Sequence, residues 1–368
     1  MIESGRISNM QSAMLAVTNL TIMGHLIILT LVIGQSRQDC WLAAIAGTLL
    51  GLIGVVGIAK LSNRFPGLSY IEMLRSRFSW PGKALAMLYL VYYWIMAMLA
   101  VRFFAETYMV IMDETPMLAF IVVILLLSAY LVFLGLETMA RMNQILLPIL
   151  VVTAMFVTFL TMPNKDYTNL LPVLANGLAP VGSGALSVMG WFGEFAIMGM
   201  VLPYVQKPKK ILTVSVASVV ITMIFFLGPV TGPVAMFGPI EAARMTFPTF
   251  SEVRYIKIGE VLNRFDAIAI LFWTVGLLFR ASTFYYGLCL GTAQAFKFST
   301  YRHLIVPFGW LIGIGAILFS KNHAEIKQFL YHTYVPLNIF MGSAIPIALL
   351  GWSALFGKKL AAKAERKG

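Results

Sequence analysis

Residues 183–204 read SGALSVMGWFGEFAIMGMVLPY and contain one charged side chain, that of Glu194. A run of about 20 predominantly apolar residues is what a helix needs to cross the hydrocarbon core of a bilayer. Two glycines, Gly190 and Gly193, enclose Trp191 and Phe192 directly before the acid. The stretch therefore predicts a membrane-spanning helix that is interrupted near its middle.

The whole chain shares the apolar composition of this stretch. Of its 368 residues, 60% are hydrophobic and only 11% are charged, and the mean hydropathy is +0.86. A soluble domain carries about 25% charged residues, so this composition excludes a soluble enzyme. The sequence also lacks the phosphate-binding loop of ATPases and the short motifs of serine hydrolases and zinc proteases. We therefore expect no enzymatic activity, no cofactor and no metal site.

Apolar runs bounded by charged or Gly- and Pro-containing loops predict an all-α integral membrane protein with ten transmembrane helices. The predicted spans are 10–33, 40–59, 84–111, 116–136, 143–162, 183–204, 211–237, 265–293, 302–320 and 334–356. Residues 1–368 are expected to form a single permease-like transmembrane domain. Its first half is 1–162 and its second half 183–356, and a basic tail follows at 357–368.

The net charge of +12 is distributed unequally between the two sides of this ten-span arrangement. The loops and tails on the side of the termini contain 17 basic and four acidic residues, whereas the opposite side has eight basic and nine acidic residues. Basic residues concentrate in cytoplasmic loops, so both termini are expected in the cytoplasm. The positive charge thus describes orientation in a lipid bilayer and gives no support for a nucleic-acid partner.

Five plus five spans suggest the inverted repeat of secondary transporters, and the first span of each half contains a plausible break. Span 6 carries the Gly190–Glu194 interruption, and the apolar run of span 1 is interrupted by Asn19, Thr21, Gly24 and His25. An unwound turn exposes backbone groups to a solute. The alternative is that glycine is simply common in transmembrane helices. In span 2, Gly47, Gly51, Gly54 and Gly57 share one face and predict close helix packing.

Four charged side chains fall inside the predicted spans and away from the span ends: Arg102, Glu106, Glu194 and Arg280. Charges at this depth are costly unless they are paired or face a cavity, so they are candidates for function and for coupling to an ion. Arg102 and Glu106 are one helical turn apart and can pair within their helix, which leaves Glu194 and Arg280 as partners across two helices. Two interpretations stay open: the pairs only fix helix packing, or they contact a solute.

The predicted solute site is therefore formed by spans 1, 3, 6 and 8 near the bilayer midplane. Its candidate residues are Asn19, Gly24, His25, Tyr93, Arg102, Gly190, Trp191, Gly193, Glu194 and Arg280.

Several segments, taken in order, resemble the B subunit of GerA-type spore germinant receptors, the GerAB-like endospore germination permeases. These segments are Arg6-Ile7-Ser8-Asn9-Met10-Gln11, Arg64-Phe65-Pro66-Gly67, Phe192-Gly193-Glu194, Leu202-Pro203-Tyr204-Val205, Phe247-Pro248-Thr249-Phe250-Ser251-Glu252-Val253-Arg254-Tyr255-Ile256, Arg264-Phe265-Asp266-Ala267 and Phe272-Trp273. That family looks like a branch of the amino acid–polyamine–organocation superfamily, and the resemblance covers nearly the whole chain.

The resemblance implies a LeuT/APC-like fold of ten helices around a nutrient pocket, in which helices 1 and 6 are broken, with Gly193 and Glu194 at the break of helix 6 and Gly24 at the break of helix 1. It implies an amino acid or sugar as germinant, a location in the inner membrane of the spore, and a complex with an A subunit and a lipoprotein C subunit. Paired glycines, common at the first break in amino-acid permeases, are absent here because Gly24 stands alone.

The leading hypothesis is a membrane subunit of a spore nutrient-germinant receptor that binds a small solute, with an amino acid as the first choice, and triggers germination through partner subunits. One alternative is a proton- or sodium-coupled amino-acid transporter that uses the same pocket. A third is a structural subunit with a vestigial pocket.

Overall fold

A computed structural model describes residues 2–109, 112, 114–256, 266–320 and 323–365, and most of these residues are helical. Within these ranges the one isolated β pairing is a bridge between Ile7 and Val205. Some predictions lie outside the described residues. They concern positions 110–111, 265 and 366–368 at the ends of spans or of the tail, and the loop charges Asp113, Lys257, Glu260, Arg264, Lys321, Arg366 and Lys367.

The first half begins with a long helix whose winding changes once. Its helices are α1 (Asn9–Met23), a π-helical turn (Gly24–Ile28), α2 (Leu29–Ser36), α3 (Cys40–Arg64), α4 (Tyr70–Arg77), α5 (Ser79–Met109), α6 (Met117–Leu134) and α7 (Leu136–Thr161). Ser8 begins α1 with a capping box, because its side chain accepts from the N–H of Gln11 and the Gln11 side chain accepts from the N–H of Ser8.

The second half has more irregular helices. They are α8 (Leu178–Phe192), a 3₁₀ segment (Gly193–Ile197), α9 (Met198–Val201), a 3₁₀ turn (Leu202–Tyr204), α10 (Ile211–Phe237), α11 (Pro239–Ala242), α12 (Pro248–Arg254), α13 (Asp266–Phe296), α14 (Ile305–Leu318), α15 (His323–Phe329), a π turn (Leu330–Tyr334), α16 (Val335–Ile339), a second π turn (Phe340–Ala344) and α17 (Ile345–Glu365).

Seven helical segments of the described chain are long and apolar enough to cross a membrane. They are Asn9–Arg64, Ser79–Met109, Met117–Leu134, Leu136–Asn164, Leu178–Tyr204, Pro208–Phe237 and Glu325–Leu355. The first contains two helical stretches, α1–α2 and α3, joined by a 3₁₀ turn at Arg37–Asp39. A shorter apolar helix lies at Arg302–Leu318. The prediction of an all-helical, multi-pass membrane protein is confirmed, and the count of ten stays a prediction.

The fifth and tenth predicted spans begin well after the helices that contain them. The fifth was placed at 143–162, but α7 begins at Leu136, directly after Gly135 at a φ of 88°, and Glu137 and Arg141 form an exposed ion pair at 2.7 Å one turn apart near its start. The tenth was placed at 334–356, but its helix already begins at His323. In both places charged residues ended the hydrophobic run without ending the helix.

The chain stays helical at both predicted breaks. Over Gly24–Ile28 the helix is wound more widely, as a π turn, and over Gly193–Ile197 more tightly, as a 3₁₀ segment. Single π turns inside α-helices occur frequently at functional sites. The irregular positions therefore coincide with the predicted ones, while an unwound break at either stays a prediction.

Of the seven spanning segments in the described part of the chain, the one that contains Glu194 is the most enclosed. In the most apolar window of Leu178–Tyr204, 89% of the residues are buried, against 17% in Leu136–Asn164. A helix buried on all sides contacts other helices over its whole circumference, whereas a peripheral one faces lipid. The charge of Glu194 is therefore enclosed by protein.

The glycine face of α3 packs closely, as predicted. A Cβ atom on Gly47 would lie 2.4 Å from the carbonyl oxygen of Ala185 in α8, and one on Gly54 would lie 2.4 Å from the carbonyl oxygen of Gly342. Real Cβ atoms do not come this close to backbone, so these glycines set the distance between the helices.

We expect Gly54→Ala to lower the thermal denaturation temperature of the purified protein, because the new methyl group would meet backbone that cannot rotate away. Gly57→Ala, one turn along the same face, is the matched control, since its Cβ would find its nearest neighbour at an ordinary 3.4 Å. In that position alanine should be neutral or stabilising, by up to about 1 kcal/mol from helix propensity. Equal effects of the two substitutions would contradict the packing role.

The N-terminal segment is hydrogen-bonded to the ends of helices from the second half. The Ile7 N–H donates to the Tyr204 carbonyl at 3.1 Å. The buried Glu3 carboxylate accepts from the Tyr286 hydroxyl at 3.2 Å and the Tyr301 hydroxyl at 3.4 Å. Burial raises the pKa of Tyr301, so this hydroxyl keeps the proton that it donates. The segment before α1 is thereby hydrogen-bonded to the end of the helical segment Leu178–Tyr204, which contains Glu194.

Candidate functional site

Glu194 and Arg280 form a bidentate ion pair in the centre of the protein. Nη2 of Arg280 donates to Oε1 of Glu194 at 2.6 Å, and Nη1 donates to Oε2. The exposed fraction of Glu194 is 1% and that of Arg280 is 0%. Because both charges are fully enclosed, each depends on the other for compensation, and removing one would leave an uncompensated charge.

Side chains of α5, of α13 itself and of the π turn Leu330–Tyr334 complete the surroundings of this pair. The Tyr334 hydroxyl donates to Oε1 of Glu194. The Arg280 guanidinium lies 5.1 Å from the centre of the Phe284 ring, and its Nη2 lies 3.9 Å from the sulfur of Met96. Nε of Arg280 is buried and has no hydrogen-bond partner. The site is therefore neutral overall, and one donor of the cation is unused.

Helix 1, which consists of α1, the π turn and α2, contacts the Glu194–Arg280 pair through a backbone carbonyl group. Nη1 of Arg280 lies 3.5 Å from the Asn19 carbonyl oxygen. The Asn19 side-chain amide donates to the Thr283 hydroxyl at 3.1 Å, while its Oδ1 is buried without a partner. The indole N–H of Trp191 donates to the Leu20 carbonyl at 2.9 Å. Helix 1 is thus hydrogen-bonded to the helices that carry both charges.

The three predicted site glycines allow other elements to approach. A Cβ atom on Gly24 would lie 2.5 Å from the Trp191 ring, and one on Gly193 would lie 2.2 Å from the Asn338 carbonyl oxygen. A Cβ on Gly190 would lie 2.9 Å from the Val335 carbonyl oxygen. These glycines bring α1, α8 and α16 together directly around Glu194.

Tyr93 lies on α5 and faces the 3₁₀ segment. Its hydroxyl donates to the Ala196 carbonyl at 3.4 Å. Its neighbour Tyr92 donates to Oδ1 of Asn338 at 2.7 Å, and the Asn338 amide donates to the Tyr334 carbonyl at 2.9 Å. The aromatic side chains of α5 thus connect the Glu194 segment with the last membrane helix.

Arg102 and Glu106 form a second ion pair, with Nε of Arg102 donating to Oε1 of Glu106 at 2.8 Å. Arg102 also donates to the carbonyls of Ala316 at 2.9 Å and Ser320 at 3.0 Å, at the end of α14. Carbonyls at a helix C-terminus lack partners in the helix and attract a cation. This geometry favours a packing role for Arg102.

His25 belongs to a different part of the molecule from the Glu194 pair. Its Nε2 lies 3.2 Å from the Phe225 carbonyl oxygen, and its ring stacks on Phe272 with the centres 5.3 Å apart. It lines a cavity of about 430 Å³ between α1, α7, α10 and α13, and Glu194 and Arg280 do not line that cavity. Proximity in the sequence of span 1 therefore does not place Asn19 and His25 in one site.

Sequence reasoning missed two members of the Glu194 cluster, Tyr334 and Asn338. Both are fully buried and lie one helical turn apart in the last membrane segment. The sequence feature that could have indicated them is a hydroxyl and an amide side chain on one face of an apolar helix. Such side chains form hydrogen bonds between helices in membranes.

Comparison with known proteins gives one family and one fold. The model of the family described as "Spore germination protein" matches residues 6–324. Spore germination protein XB of Bacillus anthracis is 24% identical over 332 residues, which cover 89% of this chain and 92% of that protein. Spore germination protein YndE of Bacillus subtilis is 23% identical over 94% of this chain and 96% of its own length. Spore germination protein KB of Bacillus subtilis is 26% identical over 79% of this chain and 80% of its own length.

Solved structures with a similar fold include transporters. MhsT in complex with L-phenylalanine has a TM-score of 0.67 at 15% identity and covers 92% of this chain and 89% of its own. Mhp1, a nucleobase-cation-symport-1 family transporter, has a TM-score of 0.60 at 13% identity, covering 90% of this chain and 77% of its own. The manganese transporter of Eremococcus coleocola has a TM-score of 0.57 at 14% identity, covering 95% and 80%. At these identities the comparison shows the fold alone, which is LeuT-like as expected.

Proposed function

Because this chain belongs to the spore germination protein family, we propose that it is the membrane subunit of a nutrient-germinant receptor. It is a multi-pass membrane protein and not an enzyme, since its family consists of germination permeases and its structural neighbours are transporters. In this proposal a small solute binds within the helix bundle and shifts a conformational equilibrium that partner subunits detect.

The observation that carries the proposal is the buried Glu194–Arg280 pair at the junction of helix 1, α5, the 3₁₀ segment and α13. A charged pair in this position has two discrete arrangements, joined or separated, and packed interiors switch between such arrangements rather than deforming continuously. A solute that stabilises one arrangement shifts the population in proportion to its differential affinity. The helical segment that contains Glu194 ends at Tyr204, whose carbonyl accepts from Ile7 of the N-terminal segment, and this contact supports a path for the signal to the side of the membrane on which the N-terminus lies.

The finer parts of the proposal follow from the sequence. We place ten crossings in a single domain with an inverted repeat, breaks in helices 1 and 6 and both termini in the cytoplasm, in the inner membrane of the spore. The solute is an amino acid or a sugar, and an amino acid is favoured because one structural neighbour was solved with L-phenylalanine. The proposed partners are an A-type subunit and a lipoprotein C-type subunit.

Proteoliposomes that contain this chain alone separate a receptor from a transporter. We expect germinant binding without uptake, because a sensing subunit has to change conformation but need not release the solute on the other side. Affinity purification from spores should recover an A-type subunit with the chain. Uptake that depends on a proton or sodium gradient would contradict the receptor and support the alternative, a coupled amino-acid transporter with the same fold.

A further inference from the structure

The last spanning segment, Glu325–Leu355, changes its winding twice. Helix α15 leads into a π turn at Leu330–Tyr334, the five-residue helix α16 follows, and a second π turn at Phe340–Ala344 leads into α17. Sharp bends in helices occur at prolines and at π turns, and π turns are frequent at functional sites. The segment therefore consists of a short helix between two joints.

Each π turn is followed, at the second position, by a proline, which is Pro336 after the first and Pro346 after the second. Proline has no N–H, and in a regular α-helix its ring clashes with the carbonyl four residues earlier. In the second turn the N–H of Ile345 donates to the Phe340 carbonyl, five residues earlier. Neither Ile345 nor Pro346 is then left to donate to the Met341 carbonyl. The prolines thus account for both wide turns and for a carbonyl without its helical donor.

Two tyrosines of α5 hold α16 at its ends. The Tyr89 hydroxyl donates to the Met341 carbonyl, and both residues are 0% exposed. The Tyr92 hydroxyl donates to Oδ1 of Asn338 at 2.7 Å, and the Asn338 amide donates to the Tyr334 carbonyl at 2.9 Å. One tyrosine therefore binds the second π turn directly, and the other binds the first through Asn338.

Both π turns also contact the 3₁₀ segment that carries Glu194. The Tyr334 hydroxyl, at the end of the first turn, donates to Oε1 of Glu194. Gly342, in the second turn, lies so close to Gly193 that an added Cβ would overlap the Gly193 carbonyl oxygen. A displacement of Glu194 therefore acts on α16 at both of its ends.

α17 has room to move, because part of its surface faces lipid. Leu355 and Ile347 are 81% and 41% exposed, whereas Tyr89 and Tyr334 are 0% exposed. A close-packed interior transmits a displacement instead of absorbing it. A shift of α16 is therefore expected to appear at α17 and not in the packed surroundings of Tyr89.

We propose that α16 and its two π turns form a jointed element that transmits the state of the Glu194–Arg280 pair to α17, and that Tyr89 and Tyr92 are the positioning residues that hold this element in the resting arrangement. When the pair separates, Tyr334 loses its acceptor and α16 pivots between the two turns. Packed elements of this kind switch between discrete arrangements. The inference rests on the proposed function, because it describes how the signal leaves the Glu194 site.

The first test measures the position of α17 in the purified full chain in lipid nanodiscs. Nitroxide labels on Leu355→Cys in α17 and Leu126→Cys in α6, where the native side chains are 81% and 66% exposed, report a distance by electron–electron double resonance. The native cysteines are both buried, which protects them from the label. We expect Tyr89→Phe and Tyr92→Phe to broaden the distance distribution, because each removes a hydrogen bond that holds α16.

Tyr285→Phe is the matched control for these substitutions. Its hydroxyl is also buried and also donates to a backbone carbonyl of a neighbouring helix, that of Ile305 in α14. It should leave the distance distribution as in the unmodified chain. Broadening of the same size in the control would mean that any lost tyrosine hydrogen bond loosens the bundle, and it would overturn the proposal.

Pro346→Ala tests the second joint itself. Alanine supplies an N–H that can bond the Gly342 carbonyl four residues earlier, so the π turn can close into a regular α-helix. Because one residue corresponds to about 100° of helical rotation, closing the turn should rotate α17 and shift the mean distance. Pro148→Ala, inside the lipid-facing helix α7, makes the same chemical change elsewhere and should leave the distance unchanged.

Germination of spores tests whether the element carries the signal. The probe is a mixture of the twenty protein amino acids with D-glucose. We expect Tyr89→Phe and Tyr92→Phe to lower the half-maximal concentration by about two- to tenfold, the effect of one hydrogen bond on a conformational equilibrium, because the resting arrangement is weakened. A merely structural defect would raise this concentration or reduce the response. Tyr285→Phe should not lower it.

The outcomes separate this inference from the proposed function. Unchanged distances in Tyr89→Phe, Tyr92→Phe and Pro346→Ala would overturn the jointed element. Changed distances with unchanged sensitivity to the probe would also overturn it, since α16 would then move without signalling, and would leave the proposed function intact. The proposed function fails separately if spores with Glu194→Gln respond normally, whatever the distances are.

Discussion

Glu194→Gln is expected to abolish the germinant response of spores while the protein remains in the membrane. Glutamine keeps the shape of the side chain but removes the charge that compensates Arg280, which is 0% exposed. Removing one partner of a buried ion pair costs about 3–5 kcal/mol. The apolar spans, which determine insertion, are unchanged. The measurement is germination against germinant concentration, with the amount of protein in spore membranes determined in parallel.

A double substitution distinguishes signalling from packing. Glu194→Gln combined with Arg280→Met removes both charges, so no uncompensated charge stays buried, and well-packed apolar replacements of buried pairs are often tolerated. We expect this variant to recover the thermal stability that the single substitution loses but not the germinant response. Recovery of both would mean that the pair only fixes helix packing. A normal response of the single variant would remove Glu194 from the mechanism.

The pairing of the intramembrane charges could be predicted from the sequence, because few pairings were possible. Four charged residues fell inside the predicted spans and away from the span ends, and one helical turn separates Arg102 from Glu106, which left Glu194 and Arg280 for each other. The structure contains both pairs. The function of the pair stays a prediction, because geometry of this kind serves packing and solute sensing equally well.

The uncharged polar residues of the site could not be predicted from the sequence in the same way. Tyr334 contacts Glu194 from 140 positions away, and hydroxyl and amide side chains carry no charge that would mark them as costly inside lipid. Lys165 and Glu252 were counted among the loop charges of one side, whereas the structure places Glu252 on α12 and encloses both side chains in an ion pair. Which face of helix 1 meets which neighbour was also unknown, so Asn19 and His25 were assigned to one pocket.

Helix ends were predictable where composition changes abruptly. The seventh predicted span, 211–237, coincides with α10, since the Pro208–Lys210 turn precedes it and Gly238, at a φ of 80°, ends it. The last helix was not predictable in this way, because its first turns carry Glu325 and Lys327 and continue beyond the apolar run. Hydrophobicity marks the part of a helix that lies in lipid, whereas backbone hydrogen bonds determine its length.

Gly24→Ala is expected to impair both folding stability and the germinant response, and Trp191→Phe is expected to relieve part of that defect. The added Cβ would lie 2.5 Å and 2.7 Å from two atoms at the far end of the Trp191 ring, which phenylalanine lacks. Trp191→Phe alone should be destabilising, because it leaves a void and removes the hydrogen bond to the Leu20 carbonyl. Combined, the two changes should be less harmful than the sum of the single effects, with a coupling of about 0.5–3 kcal/mol for residues in contact.

The control pair for this cycle is Gly57→Ala with Trp191→Phe, whose effects should add within about 0.5 kcal/mol because the two residues share no contact. Thermal denaturation of the four purified proteins gives the coupling, and germination gives its consequence for signalling. If the double variant regains stability and also responds to germinant, the approach of helix 1 to Trp191 is a steric requirement only. If it regains stability but stays unresponsive, the hydrogen bond from Trp191 to helix 1 takes part in the conformational change, because it is the one contact that phenylalanine cannot restore. We expect the second result, since that bond joins helix 1 to the helix that carries Glu194 at the position where both change their winding.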